Sequence, residues 1–248
     1  MLKRERQAFI LHQVNLHNKV LSLDLSQQMD VSEDTIRRDL SELATLGKII
    51  KVHGGALSKP FHNFFEHSNI YSLPQKKVIA QKAIQLIRNG MFVFTTGGTT
   101  IIELARSLPE GLQATFITGS LPAAFEYMQH PGIDVIIIGD KVSKSSHLTV
   151  GAEAISKIKQ FNADLCFLGT NAIDVEHGFT DNDWEVAQVK KAMIESSANV
   201  VSLTIAEKLN THLNVQVCEI KKINTLITEL PPEDSLFEPY KAKGLRII

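Results

Sequence analysis

Apolar residues in the first fifty positions recur at helical spacing. Between Val31 and Leu46, Ile36, Leu40, Leu43 and Leu46 fall at intervals of four, three and three and form one stripe. Thr35, Arg37, Arg38 and Ser41 lie off that stripe, on a polar face free to meet a partner. Ser32 precedes the run, with Glu33 and Asp34 in the first turn; a hydroxyl cap and early carboxylates satisfy orphan amides and complement the helix dipole, so the helix starts at about Ser32. Gly47 ends it, and Ile49 to His53 reads as a short strand before Gly54 and Gly55. Upstream, Arg6, Phe9, Ile10 and Val14 mark one amphipathic helix, and Leu21, Leu25 and Met29 a second, short one that ends in the turn at Met29-Asp30-Val31. Helix, helix, tight turn, helix and hairpin is the order of a winged helix-turn-helix.

The pattern changes after residue 57. Residues 58–74 hold Pro60, Pro74, Ser68 and Ser72 with Phe61, Phe64, Phe65 and Tyr71, and read as a linker carrying aromatics. From Gln75 onward, helical patterns alternate with short apolar runs. Helices are expected around 78–87, 99–108, 122–129, 151–160 and 184–197, and strands at 91–95, 114–117, 133–138, 164–168 and 200–204, with late strands at 225–228 and 245–248. That alternation predicts a mostly parallel sheet with helices on both faces. The fold class is therefore α/β, in three parts: a winged helix-turn-helix at 1–57, a linker at 58–74 and an α/β domain at 75–248.

Composition changes the picture little. The chain has 248 residues, 44% hydrophobic and 21% charged, which is ordinary for globular proteins. The overall charge of -1 divides unevenly: residues 1–59 carry nine Lys or Arg against seven Asp or Glu, and the remainder seventeen against twenty. A module so weakly basic neutralises few phosphates alone, so a homo-oligomer is expected. Cys166 and Cys218 sit in apolar runs without paired spacing and read as structural thiols. No signal peptide or membrane span is expected, which places the chain in the cytoplasm and away from membranes. The nine histidines have no metal-type spacing and no nucleotide-binding glycine motif is present, so neither a metal nor a cofactor is implied.

The run V-S-E-D-T-I-R-R-D-L from Val31, with the later L-x-x-x-G and the terminal G-G-A at Gly54 to Ala56, resembles the signature of the DeoR family of bacterial transcriptional regulators. The resemblance implies double-stranded operator DNA as a partner. Ser32, Thr35, Arg37 and Arg38 on the helix and Lys51 and His53 on the hairpin are the residues placed to contact it.

Ligands of open α/β sheets bind at the carboxyl ends of the strands, so the residues after each strand are the candidates. The first such loop is T-G-G-T-T, in which Gly97 and Gly98 let amides approach an anion and Thr99 and Thr100 add hydroxyls at a helix N-terminus. Ser120, then Gly139 and Lys141, then Gly169, then Lys208 follow the later strands. Residues 75–248 resemble the sensor domain of the same family, which is related to ribose 5-phosphate isomerase and the glucosamine-phosphate isomerases. The implied effector is a phosphorylated sugar. Glu185, Lys190 and Met193, after a G-F-T turn at Gly178 to Thr180, also match that pattern, whereas Thr96, Gly119, Asp140 and Ile205 depart from it, standing where aspartate, asparagine, glycine and aspartate are usual. An isomerase would need a positioned base; Asp174, Glu176 and His177 are available, but the D-G-A-D-E run of the enzymes has become G-T-N-A-I-D here and their glycine-rich lysine loop has no counterpart. A repressor of sugar metabolism is expected rather than an enzyme, and the other alternative is a DNA-binding protein whose second domain only oligomerises.

Overall fold

The computed structural model describes residues 2–59 and 70–248, and the chain forms two compact units that divide between Tyr71 and Ser72. The linker residues Pro60, Phe61, Phe64, Phe65 and Ser68 lie outside the described residues.

In the first unit, α1 (Lys3–His17), β1 (Lys19–Leu21), α2 (Ser22–Met29), α3 (Glu33–Thr45), β2 (Ile49–Val52) and β3 (Gly55–Ser58) follow one another. Ile10, Val14, Leu25, Ile36, Leu40 and Leu43 close the core between the three helices. Ser32 caps α3 by accepting from the Thr35 amide, as its position predicts. Leu46 departs from the expected stripe: the helix stops at Thr45, and Leu46 is 64% exposed. The expected strand at 49–53 ends at Val52, and Leu21, expected in the second helix, belongs instead to β1. β1, β3 and β2 form an antiparallel sheet in that order. Gly55 is required by this pairing, since a Cβ there would lie 1.9 Å from the Val20 carbonyl oxygen.

In the second unit, α4 (Leu73–Ile84) takes Pro74 into its first turn, where a missing N–H costs nothing, and so begins inside the expected linker. There follow β4 (Phe92–Thr95), α5 (Thr99–Arg106), β5 (Ala114–Thr118), α6 (Leu121–Tyr127), β6 (Ile133–Ile137), the hairpin of β7 (Lys141–Ser143) and β8 (Leu148–Val150), α7 (Ala152–Ile158) and β9 (Ala163–Gly169). The chain continues through β10 (Ala172–Asp174), β11 (Gly178–Asp181), α8 (Trp184–Glu195), β12 (Ser197–Leu203), β13 (Val215–Cys218), β14 (Thr225–Ile227), α9 (Glu238–Ala242) and β15 (Arg246–Ile247).

Seven strands form one sheet in the order β15-β14-β12-β9-β4-β5-β6, parallel throughout. From β4 the chain first builds outward through β5 and β6, then returns to the other side of β4 and builds through β9, β12, β14 and β15. The switch point lies between β4 and β9, where loops leave the sheet in opposite directions and open a crevice. The G-F-T segment is strand rather than turn: it lies in β11, which pairs with β10 and β13 in a small antiparallel sheet.

Candidate functional site

Helix α3 presents Arg37 and Arg38 to solvent. Arg37 reaches Glu33 at 3.0 Å and Asp34 at 3.4 Å along its own helix, exposed pairs that exchange readily for a phosphate or base edge. Arg38 has no partner among the described residues. Ser32 and Thr35 share a hydroxyl contact of 2.9 Å, and Lys51 Nζ donates to Ser41 Oγ at 2.6 Å, which ties the hairpin to the exposed side of α3. His53 is exposed in the turn between β2 and β3. The buried side of α3 holds a carboxylate that periodicity does not suggest. Asp39 is 1% exposed and takes the Arg6 guanidinium of α1 in an ion pair, fixing the angle between the two helices.

The crevice at the switch point is lined by hydroxyls and ammonium groups. A Cβ on Gly169 would fall 2.3 Å from the Gly97 carbonyl oxygen, so glycine alone lets the loops after β4 and β9 touch. Thr96 seals the contact by accepting from the Gly169 amide at 2.8 Å, which is what the threonine does in the place of the family's aspartate. Ser120 lies beside Gly97 and caps α6, while the buried hydroxyls of Thr170, Ser202 and Thr204 form a chain with steps of 2.6 and 2.8 Å. Thr99 and Thr100 are buried in the first turn of α5.

Three lysines enter this layer. Lys208 is 7% exposed and donates to the Thr170 carbonyl at 2.7 Å. Lys190 is 4% exposed, donates to the Gly169 carbonyl at 3.1 Å and is paired with buried Asp181 at 2.7 Å. Lys76, 5% exposed on α4, is the third, and it has Glu103 of α5 as a charged neighbour. Burial pushes Lys208 down to about 7, helped by the charges of Lys76 and Lys190 and opposed by Asp181. Burial likewise lowers Lys76 to about 8, with Glu103 opposing. Glu103 also pairs with Arg106 at 2.9 Å, and the buried groups of the cluster are three ammonium groups against the carboxylates of Glu103 and Asp181. Like charges buried together are costly, and an entering anion relieves that cost.

Of the residues expected from sequence at this site, Gly97, Ser120, Gly169 and Lys208 are drawn together through the 169–170 segment. Gly139 is exposed, and Lys141 points to solvent and pairs with Glu185 at 2.9 Å. Asp140 caps α7 by accepting from the Glu153 and Ala154 amides at 3.0 and 3.2 Å; backbone bonds, the Lys141 amide first, hold its carboxyl below the usual range. Gly119, where the family has asparagine, leaves its side-chain space to Thr149, whose Oγ1 would lie 2.4 Å from a Cβ there. Ile205 is buried, and Glu229 supplies the carboxylate for that turn, accepting from the Ala206 amide at 2.9 Å. Lys76 escaped the sequence reading although its position carries a signal: it precedes Ile79, Ala80 and Ala83 by three, four and seven residues, on the buried face of α4.

A winged helix-turn-helix with exposed arginines, followed in the chain by an α/β unit with a lysine-lined crevice, is the layout of a ligand-responsive transcription factor. The family model for the DeoR C-terminal sensor domain matches residues 72–230, and that for the DeoR-like helix-turn-helix domain matches residues 6–60. The chain belongs to the DeoR family of transcriptional regulators. It is 31% identical to the HTH-type transcriptional regulator GolR of Listeria innocua, over 100% of this chain and 98% of that one. It is 32% identical to the glycerol-3-phosphate regulon repressor of Haemophilus influenzae, over 88% and 89%. Among solved structures, ribose 5-phosphate isomerase A of Methanocaldococcus jannaschii is matched with a TM-score of 0.41 at 18% identity, over 54% of this chain and 53% of that one.

Proposed function

We propose that the chain is a repressor that releases or tightens its hold on operator DNA when a phosphorylated sugar or related phosphate enters the crevice of the second unit. The lysines Lys76, Lys190 and Lys208, buried together beside the glycine loop, carry this reading, because a phosphate dianion is held by charge-assisted hydrogen bonds from ammonium groups. The glycine loop at 97–98 and the first turn of α5 supply amides, and Thr99 and Thr100 hydroxyls. The effector shifts DNA affinity only by binding two states of the regulator unequally. Relatives named for glycerol-3-phosphate support the ligand class.

Catalysis is the weaker reading. Asp181, the buried carboxylate nearest the lysines, is committed to Lys190, and Asp174 spends one oxygen on the amides of its own turn. The regulator should therefore leave ribose 5-phosphate and glucosamine 6-phosphate unchanged. Turnover that copurifies with the protein and vanishes in Asp174→Asn would overturn that expectation. Thermal-shift titration of the full chain against sugar phosphates tests the sensor directly, since a ligand of the native state raises its apparent stability. A shift is expected for the parent and its loss for Lys208→Met; equal shifts in both would place the anion elsewhere.

A further inference from the structure

The second unit brings together three metal-ligating side chains that chain spacing hides. Asp174 ends β10, His177 stands in the turn before β11, and His212 arrives on the segment that precedes β13. Among the described residues, this group offers one ligand atom each, all within 4.8 Å of one another. The Asp174 carboxylate is oriented in advance: Oδ1 accepts from the Glu176 and His177 amides at 2.8 and 2.5 Å, which turns Oδ2 toward the histidines. His177 Nδ1 lies 2.8 Å and His212 Nδ1 3.5 Å from that one oxygen.

Both contributing segments are also held by contacts that leave the three ligating atoms free of further partners in those bonds. Gln216 donates to the His177 carbonyl at 2.8 Å. The Tyr240 hydroxyl joins Ile173 to Asn210, donating to the Ile173 carbonyl at 3.1 Å and accepting from the Asn210 amide at 3.0 Å, and Ile173 bridges Leu209. A ligand set held by its surroundings loses little conformational freedom on binding.

We propose that Asp174, His177 and His212 form a binding site for a divalent transition-metal ion of the zinc type. Two imidazoles and one carboxylate are the donor set that zinc accepts with a water in the fourth position, and they disfavour magnesium and calcium, which take oxygen ligands. The imidazoles stack with centroids 3.9 Å apart and planes at 15°, and parallel rings cannot both aim an in-plane lone pair at one ion. His212, with the longer contact and a side chain 56% exposed, is the one that turns on binding. The ion replaces the His177 hydrogen bond to Asp174 Oδ2, and any proton on a ligating nitrogen goes to solvent. It would clamp the 209–214 segment to the β10–β11 hairpin, next to Lys208 and Thr170.

The test is a titration of tag-free, chelator-treated full-length protein with Zn2+ in competition with a chromophoric chelator, with Co2+ absorption as a second readout. One ion per chain is expected. Affinity should fall about tenfold or more in His177→Ala and in His212→Ala, whose side chains are about half exposed, so circular dichroism without metal should match the parent. The Co2+ band should be lost in the double variant. If no ion binds, or if the double variant binds as the parent does, the proposal is wrong.

Discussion

Lys208 shows how a single buried amine links stability to pH. Its amine ordinarily titrates near 10.5 and in the folded chain near 7, so between those values the unfolded chain binds the extra proton. Stability therefore rises with pH from about 7 upward and falls as pH is lowered through that window, with a limiting slope of about 1.4 kcal/mol per pH unit for one such group. Lys76 adds a second contribution of the same sign above about 8. Lys208→Met should flatten the pH dependence and raise the melting temperature at pH 7 without ligand, checked by calorimetry from pH 7 to 9. A bound phosphate favours the charged lysines, so the effector should bind with proton uptake and more weakly at pH 9 than at pH 7. Titration calorimetry in buffers of different ionisation enthalpy reads that uptake; equal affinities at both pH values would sever the lysines from the ligand. Thr99→Val and Thr100→Val, which keep shape and delete a hydroxyl, should weaken the same response with DNA binding intact.

The elements differ in how plainly the sequence announces them. Helix α3 is legible because cap, first turn, stripe and terminating glycine all agree, and the buried parallel strands are legible because they are continuous apolar runs bounded by turn residues. The strands β1, β7, β8, β10, β11 and β13 are three or four residues long and several of them are polar, and β1 and β13 pair with strands distant in the chain, so no period announces them. The site follows the same division. Loop positions after strands can be read from topology, but Lys76 and Lys190 sit on helices, where a lysine is ordinarily a surface residue. Their burial is visible in sequence only as a charge standing in an apolar stripe. At this scale Leu40→Ala should destabilise the first unit by about 2–5 kcal/mol, because Leu40 is fully buried between the helices. Ser32→Ala should cost about 1 kcal/mol through the lost cap. Urea unfolding followed by a probe confined to that unit would measure both. Arg37→Ala and Arg38→Ala should weaken operator binding, by about 1–3 kcal/mol for a contact to a guanine edge. A phosphate contact would instead weaken all sequences alike and flatten the salt dependence. Unchanged binding in both variants would remove α3 from the interface.

On the scale of the whole molecule, a DNA-binding segment whose residues 1–59 carry a surplus of only two basic residues would gain affinity by presenting two or more copies to one operator. The regulator is therefore expected to be a dimer or larger at concentrations that saturate DNA, a mass that sedimentation equilibrium gives directly. The proposed function requires that one anion in the lysine crevice change DNA affinity. The most direct measurement is fluorescence anisotropy of the full-length protein on a DNA fragment that it selects from a random pool, with and without a panel of sugar phosphates, for the parent and for Lys208→Met. A phosphorylated sugar should shift the DNA midpoint of the parent, while Lys208→Met binds the same fragment and does not respond. A Lys208→Met protein that responds at the same effector midpoint as the parent would contradict the account.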